Sequence, residues 1–284
     1  VRDFAIIIDS GTDVPKELIE KYNMYVLPLQ ISFSDGDFLD GVTITDEEVC
    51  ARFEKEIPKT SLPSLETIEE VFNKVKNDGY KKAFVVTISS GLSGTFNAVK
   101  MVGEDIDGID VCYVDTKNIG IGAGFSVVAI TKLIDKGRSF EEIRANITDI
   151  TENTKVYFCL DTLEYLKKGG RIGLVAGTIG QLAGIKPIIS CNEDGIYYTV
   201  AKCRGRKNAL KKLADVGKEF ADNFDKVDLA VANMGAIEET EGVKNRLKEI
   251  VTNKKEMYFS RVSPALLVHT GPGIIGIVVQ KSVD

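Results

Sequence analysis

Apolar residues fall into short runs along the first half of the chain. Residues 4–8, 25–31, 81–89, 110–115 and 155–160 each read as a strand. Between them lie helical patterns at 16–22, from Phe96 onward, from the glycines after Asp115 through Asp135, and at 140–153. Strands buried on both faces lose the in-out alternation and show up as such continuous runs. Strand, loop and helix repeated several times predict an open, mostly parallel α/β/α sheet over residues 1–160. The polar, turn-rich stretch around Asp35 and Gly41 predicts a loop excursion at about residues 32–56.

The pattern then changes. Glycines at 169, 170 and 173, and the Gly-rich residues 174–184, interrupt the alternation. Beyond them, 185–190 and 195–200 read as paired strands around a polar turn, 207–224 and 238–252 as helices, and 226–233, 257–262, 265–269 and 276–280 as strands. Strand pairs mixed with helices predict an α+β unit over residues 161–284, with a ligand cleft between the two units.

Composition narrows the functional classes. The 284 residues include 36 Lys+Arg and 42 Asp+Glu, a net charge of −6, with 44% apolar and 27% charged residues. These are the proportions of a folded globular chain. The acidic balance argues against nucleic acid and against an anionic membrane surface. No run approaches the roughly 20 apolar residues of a membrane-spanning helix, and the first apolar run is too short for a signal peptide. Five scattered cysteines without a CxxC pair, and one histidine, supply no zinc set. A reducing, cytoplasmic setting with no metal and no cofactor is expected.

Several polar clusters stand where chemistry is placed in such folds, just beyond strand ends. Asp9-Ser10-Gly11-Thr12 follows the first strand and reads equally as a turn with a helix cap. Ser89-Ser90-Gly91-Leu92-Ser93-Gly94-Thr95 is richer than a cap requires. Its glycines admit close approach, and the helix starting near Thr95 offers N–H groups and a positive dipole end to a carboxylate or phosphate. No Lys follows Gly94, so this is not a Walker loop. In Lys59-Thr60-Ser61-Leu62-Pro63-Ser64, Pro63 favours an extended approach that displays the Thr60 and Ser61 hydroxyls, with Ser64 as a cap.

Asp161-Thr-Leu-Glu164 has capping-box spacing, and Arg171 follows the glycines that end that short helix. The sole histidine, His269, closes an apolar strand-like run before Thr270-Gly-Pro-Gly273. Gly120-Ile-Gly122-Ala-Gly124 lacks the GxGxxG spacing and reads as close helix packing. Together these residues predict an anion-holding site between two units, lined by hydroxyls, a helix N-terminus, one Arg and one His.

With these motifs in view, the chain resembles the DegV family of bacterial fatty-acid-binding proteins. The resemblance runs through Ile8-Asp-Ser-Gly-Thr-Asp-Val-Pro15, Lys59-Thr-Ser-Leu-Pro-Ser64, Ile88-Ser-Ser-Gly-Leu-Ser-Gly-Thr95, Val114-Asp-Thr116, Leu163-Glu-Tyr-Leu-Lys-Lys-Gly-Gly-Arg-Ile-Gly173 and His269-Thr-Gly-Pro-Gly273. The family's usual Thr-Ser-Gln-Pro is here Thr60-Ser-Leu-Pro63. The resemblance implies a long-chain fatty acid buried between two units. Its carboxylate would sit at Thr60, Ser61 and Ser93 with Gly94 and Thr95, and Arg171, His269, Asp9 and Ser10 would be supporting or partner-facing. It further implies no catalysis by the chain itself. A partner fatty acid kinase would phosphorylate the carboxyl with ATP, and the acyl phosphate would pass to phospholipid synthesis, with an acyltransferase as a further partner. Burying roughly 15 CH₂ groups contributes about 12 kcal/mol before ordering costs, enough for the tail to dominate affinity. The competing expectation is a serine-type acyl-ester or acyl-phosphate hydrolase using Ser93 and His269.

Overall fold

The computed structural model describes residues 3–178 and 184–283. The chain opens with β1 (Ala5–Asp9), α1 (Lys16–Lys21) and β2 (Tyr25–Leu27). The expected excursion follows as β3 (Gln30–Phe33), β4 (Gly36–Leu39), α2 (Asp46–Arg52) and β5 (Lys59–Ser61). Next come α3 (Leu65–Asn77), β6 (Lys82–Thr87), α4 (Thr95–Glu104), β7 (Asp110–Asp115), α5 (Ile121–Asp135) and α6 (Phe140–Glu152). The remainder is β8 (Thr154–Cys159), α7 (Glu164–Lys168), β9 (Ile185–Cys191), β10 (Tyr197–Arg204), α8 (Arg206–Ala221), β11 (Val227–Asn233), α9 (Ile237–Ile250), β12 (Lys254–Arg261), α10 (Pro264–Thr270) and β13 (Ile275–Lys281).

The result is an α/β protein with three sheets among the described residues. The N-terminal sheet is wholly parallel, in the order β2-β1-β6-β7. Its continuous apolar runs are explained by cover on both faces. Phe72, Ile68 and Val99 from α3 and α4 pack on one face, and Phe140, Ile143 and Ile130 from α6 and α5 on the other. The second sheet is mixed, β10-β9-β8-β13-β11-β12, with only β11 and β12 parallel. The excursion folds as a small antiparallel sheet, β4-β3-β5, with α2 beside it.

Helix α5 sits between the two large sheets and is buried almost all round, so its sequence carries little amphipathic signal. The Gly120–Gly124 motif serves this position. A methyl on Gly122 would stand 2.8 Å from Val156 Cβ, and one on Gly124 2.4 Å from the Thr12 carbonyl oxygen. Helix packing, the expected role of these glycines, is what the geometry shows. Lys132 of α5 also reaches the buried Asp228 of β11 at 2.8 Å.

Several local expectations need correction. The apolar run 155–160, expected to complete the first unit, forms β8 in the second sheet, paired with β9 and β13. The run 25–31 is two strands, because Pro28 interrupts it and β3 turns into the small sheet. The expected strand 265–269 is helix α10, started by Pro264 after the N-cap Ser263. No capping box forms at Asp161-Thr-Leu-Glu164. Leu163 is the N-cap, and the Thr162 hydroxyl accepts from the Glu164 N–H at 3.2 Å. Of the Gly-rich stretch, residues 173–178 form a 3₁₀ turn, and 179–183 lie outside the described residues. Ser64 does cap α3, accepting from the Thr67 N–H.

Candidate functional site

In the N-terminal sheet the chain runs from β1 outward to β2, then returns to place β6 on β1's other side. The C-terminal ends of β1 and β6 therefore flank the topological switch point, where such sheets bind ligands. The loops leaving these strands are Asp9–Thr12 and Ile88–Thr95. They face the small sheet, the turn after α7, and α10.

A cavity of about 210 Å³ lies there, and its polar side is formed by Thr60, Ser61, Ser93, Gly94, Arg171 and His269. Leu29, Leu62, Ile88, Leu92 and Ala265 supply apolar wall. Ile119, Tyr197 and Leu266 also line an inner chamber of about 40 Å³, whose remaining wall is mostly apolar and includes Val156, Phe158 and Val278. A polar mouth thus adjoins an apolar chamber, and a collar of three shared side chains stands between them.

Each mouth residue has a local reason for its position. β5 is extended ahead of Pro63, and this turns the Thr60 hydroxyl onto His269 Nε2 at 2.6 Å. The Ser61 hydroxyl donates to Gln30 Oε1 at 3.3 Å. Ser93 precedes the N-cap Gly94 of α4; its hydroxyl meets that of Thr95 at 2.8 Å and accepts from the Thr95 N–H at 3.3 Å. Arg171 donates to the Gly169 carbonyl at 2.7 Å and the Leu92 carbonyl at 3.5 Å. Among the described residues it forms no ion pair, which leaves its charge for an anion.

The imidazole of His269 lies so close to Gly169 that a methyl there would stand 2.1 Å from Nδ1. Burial, and then the Arg171 guanidinium, push its pKa down to about 4. Near pH 7 the ring is therefore neutral, with Nε2 engaged by the Thr60 hydroxyl. Nδ1 is buried, with no hydrogen-bond partner among the described residues.

Other expected residues stand behind the mouth. Thr95 is fully buried behind the lining, with its hydroxyl on that of Ser93. Asp9 is also fully buried, accepts from the Ile88 N–H at 2.8 Å, and has its pKa raised to about 7, chiefly by burial. The Ser10 hydroxyl donates to Asp40 Oδ2 at 2.6 Å and accepts from the Leu29 N–H. These two hold the frame and do not line the cavity. Ser90 is committed elsewhere, donating to Asp115 and accepting from Lys117. Sequence reasoning missed Asp13 and Asp40, and the collar of Ile119, Tyr197 and Leu266. The collar residues sit in ordinary apolar runs and carry no local signal.

The model of the DegV family of uncharacterised proteins matches residues 3–282, and the chain belongs to that family. A DegV domain-containing protein of Clostridium acetobutylicum is 42% identical over 281 residues, covering 99% of this chain and all of its own. A stearic acid-binding protein of Eubacterium ventriosum shares the fold with a TM-score of 0.89 and 28% identity over 98% of both chains. Bacillus subtilis DegV, a fatty acid binding protein, gives a TM-score of 0.88 at 25% identity, over 99% of this chain and all of that one. No described helix is long and apolar enough to cross a membrane, and no described cluster of His, Cys, Asp and Glu could hold a metal ion.

Proposed function

We propose that this protein binds a long-chain fatty acid with its carboxylate in the mouth and its tail directed past the collar into the apolar interior. The observation that carries this reading is that the polar cavity and an apolar one lie against each other, with Ile119, Tyr197 and Leu266 as their shared wall. Hydroxyls of Thr60, Ser61 and Ser93, with the N-terminal end of α4 at Gly94, suit a carboxylate, and Arg171 supplies the opposite charge. An alkyl chain entering the narrow inner chamber pushes the collar side chains apart. The fatty acid binding of the Eubacterium ventriosum and Bacillus subtilis proteins supports the same ligand class.

The acid held this way keeps its head group at an opening, where a second protein can reach it. The protein serves as the carrier for an ATP-dependent fatty acid kinase. A carboxylate oxygen attacks the γ-phosphorus of ATP held by the kinase, ADP leaves, and the acyl phosphate passes on to an acyltransferase of phospholipid synthesis. The hydrolase alternative gains no support from the geometry. His269 Nε2 engages Thr60, while Ser93 engages Thr95, so no base addresses the nucleophile.

Mass spectrometry of an organic extract of the purified protein tests the ligand, with about one fatty acid per chain expected. Recovery of none, with no uptake of added palmitate or oleate, overturns the reading. Hydroxylamine trapping of acyl phosphate, in the presence of a fatty acid kinase and ATP, tests the carrier role.

A further inference from the structure

Helix α10 carries the only histidine of the chain, yet its own N-cap, Ser263, makes no side-chain cap. The first N–H groups of a helix need acceptors, above all when buried. Here they are supplied from two distant points of the sequence. Asp13 Oδ1 accepts from the Ser263 N–H at 3.2 Å, and Asp40 Oδ1 accepts from the Ala265 N–H at 3.0 Å. Both acids are nearly or wholly buried, at 9% and 2% exposure.

The two acids are not equivalent. Asp13 belongs to the turn after β1, and its main-chain carbonyl also accepts from the Ser260 hydroxyl at 3.0 Å. Asp40 directly follows β4 of the small sheet, and β5 of that same sheet carries Thr60. The helix is therefore tied to the small sheet at both ends, through Asp40 at Ala265 and through Thr60 at His269. Ala265 and His269 are four residues apart, about 6 Å along the axis, so a displacement at one end reaches the other within a single rigid turn. Ser10 fixes Asp40 from behind and also accepts from the N–H of Leu29, a cavity wall residue.

We infer that Asp40, assisted by Asp13, is a positioning residue for the head-group site: it seats α10 on the small sheet so that the His269 imidazole meets Thr60 in the mouth. The inference deepens the proposed function, since it treats the mouth as the place where the carboxylate is held. Asp9 and Asp13 face Asp40 across the buried cluster, and Arg171 faces the imidazole.

Because the full chain holds one histidine, its imidazole NMR signals report the site directly. Asp40→Ala removes the acceptor for the Ala265 N–H and should move the His269 titration midpoint upward by about one pH unit or more, as the ring leaves its buried seat. Asp40→Asn keeps an acceptor oxygen and should return the midpoint close to that of the unaltered protein. Val243→Ala, in the distant core beneath α9, should lower the unfolding temperature without moving the midpoint. If Asp40→Ala does not fold, Ser10→Ala, which frees the Asp40 side chain while keeping the acid, should give a smaller shift in the same direction. An unmoved midpoint in folded Asp40→Ala or Ser10→Ala, or an equal shift in Val243→Ala, overturns the inference. A shift confined to Asp40→Ala and Ser10→Ala, in a protein that takes up no palmitate, supports the positioning role and removes only the lipid reading.

Discussion

The mouth and the inner chamber of the cavity are built on opposite principles. Mouth residues come from short strands, loops and element ends, and several of their polar groups have few structural commitments: Ser93 bonds within its own turn, and among the described residues Arg171 bonds only carbonyls. The inner chamber is made of side chains that are also core. Phe158 stacks edge-on against Tyr197 at 5.2 Å, and Val156 packs against α5 where Gly122 makes room. Change in the mouth should therefore alter what is held and leave the fold intact, whereas change in the chamber should alter both.

The largest expected effect tests the chamber. Phe158→Ala deletes a buried ring and should cost about 3–5 kcal/mol in urea unfolding, along with lipid capacity. A loss of lipid at full stability would show that the chamber is separable from the core.

Asp9 sharpens the division from the other side, as a buried acid behind the mouth that serves the frame. Its folded pKa of about 7 lies above the ordinary 3.8. Between these values the folded chain keeps a proton that the unfolded chain releases, so this group makes stability fall as pH rises, by at most about 4 kcal/mol. His269, depressed to about 4 from 6.5, works in the opposite sense, its contribution growing as pH rises between those values. Asp9→Asn should thus gain stability relative to the unaltered protein at pH 8 compared with pH 5, with lipid retention unchanged. An equal difference at both pH values would contradict the assigned protonation.

Within the mouth the effects are smaller and functional. His269→Ala should lower kinase turnover by about tenfold, roughly 1.4 kcal/mol, while weakening lipid retention by less than about threefold. Ser93→Ala should weaken retention by up to about tenfold through loss of one hydrogen bond to a charged group, with the unfolding midpoint unchanged. Equal loss of both functions in both variants would erase the distinction between holding and presenting the carboxylate.

The same contrast explains what could be read from the sequence. Mouth residues such as Thr60, Ser93 and Arg171 were legible because glycines, a proline and clustered hydroxyls mark places where a core has no use for them. The collar was not, since Ile119, Tyr197 and Leu266 lie far apart in the chain and each satisfies the ordinary demands of a core. Helix α10 was misread as a strand for a related reason. All of its residues but His269 are buried, so it shows no polar face, and only Ser263-Pro264 marks its start. The run 155–160 was correctly read as a strand, but nothing local to it reveals which sheet it joins. That pairing depends on β13, more than a hundred residues away.

The placement of β13 has a consequence for how the molecule comes into being. This strand lies in the interior of the mixed sheet, flanked by β8 and β11, yet it is the last of the thirteen described strands to be synthesised. Until it emerges from the ribosome, β8 and β11 have no partner between them and the chamber lacks the wall that Val278 provides. The parallel sheet can fold on the nascent chain, with contacts largely close in sequence, while the apolar chamber closes only once β13 has emerged.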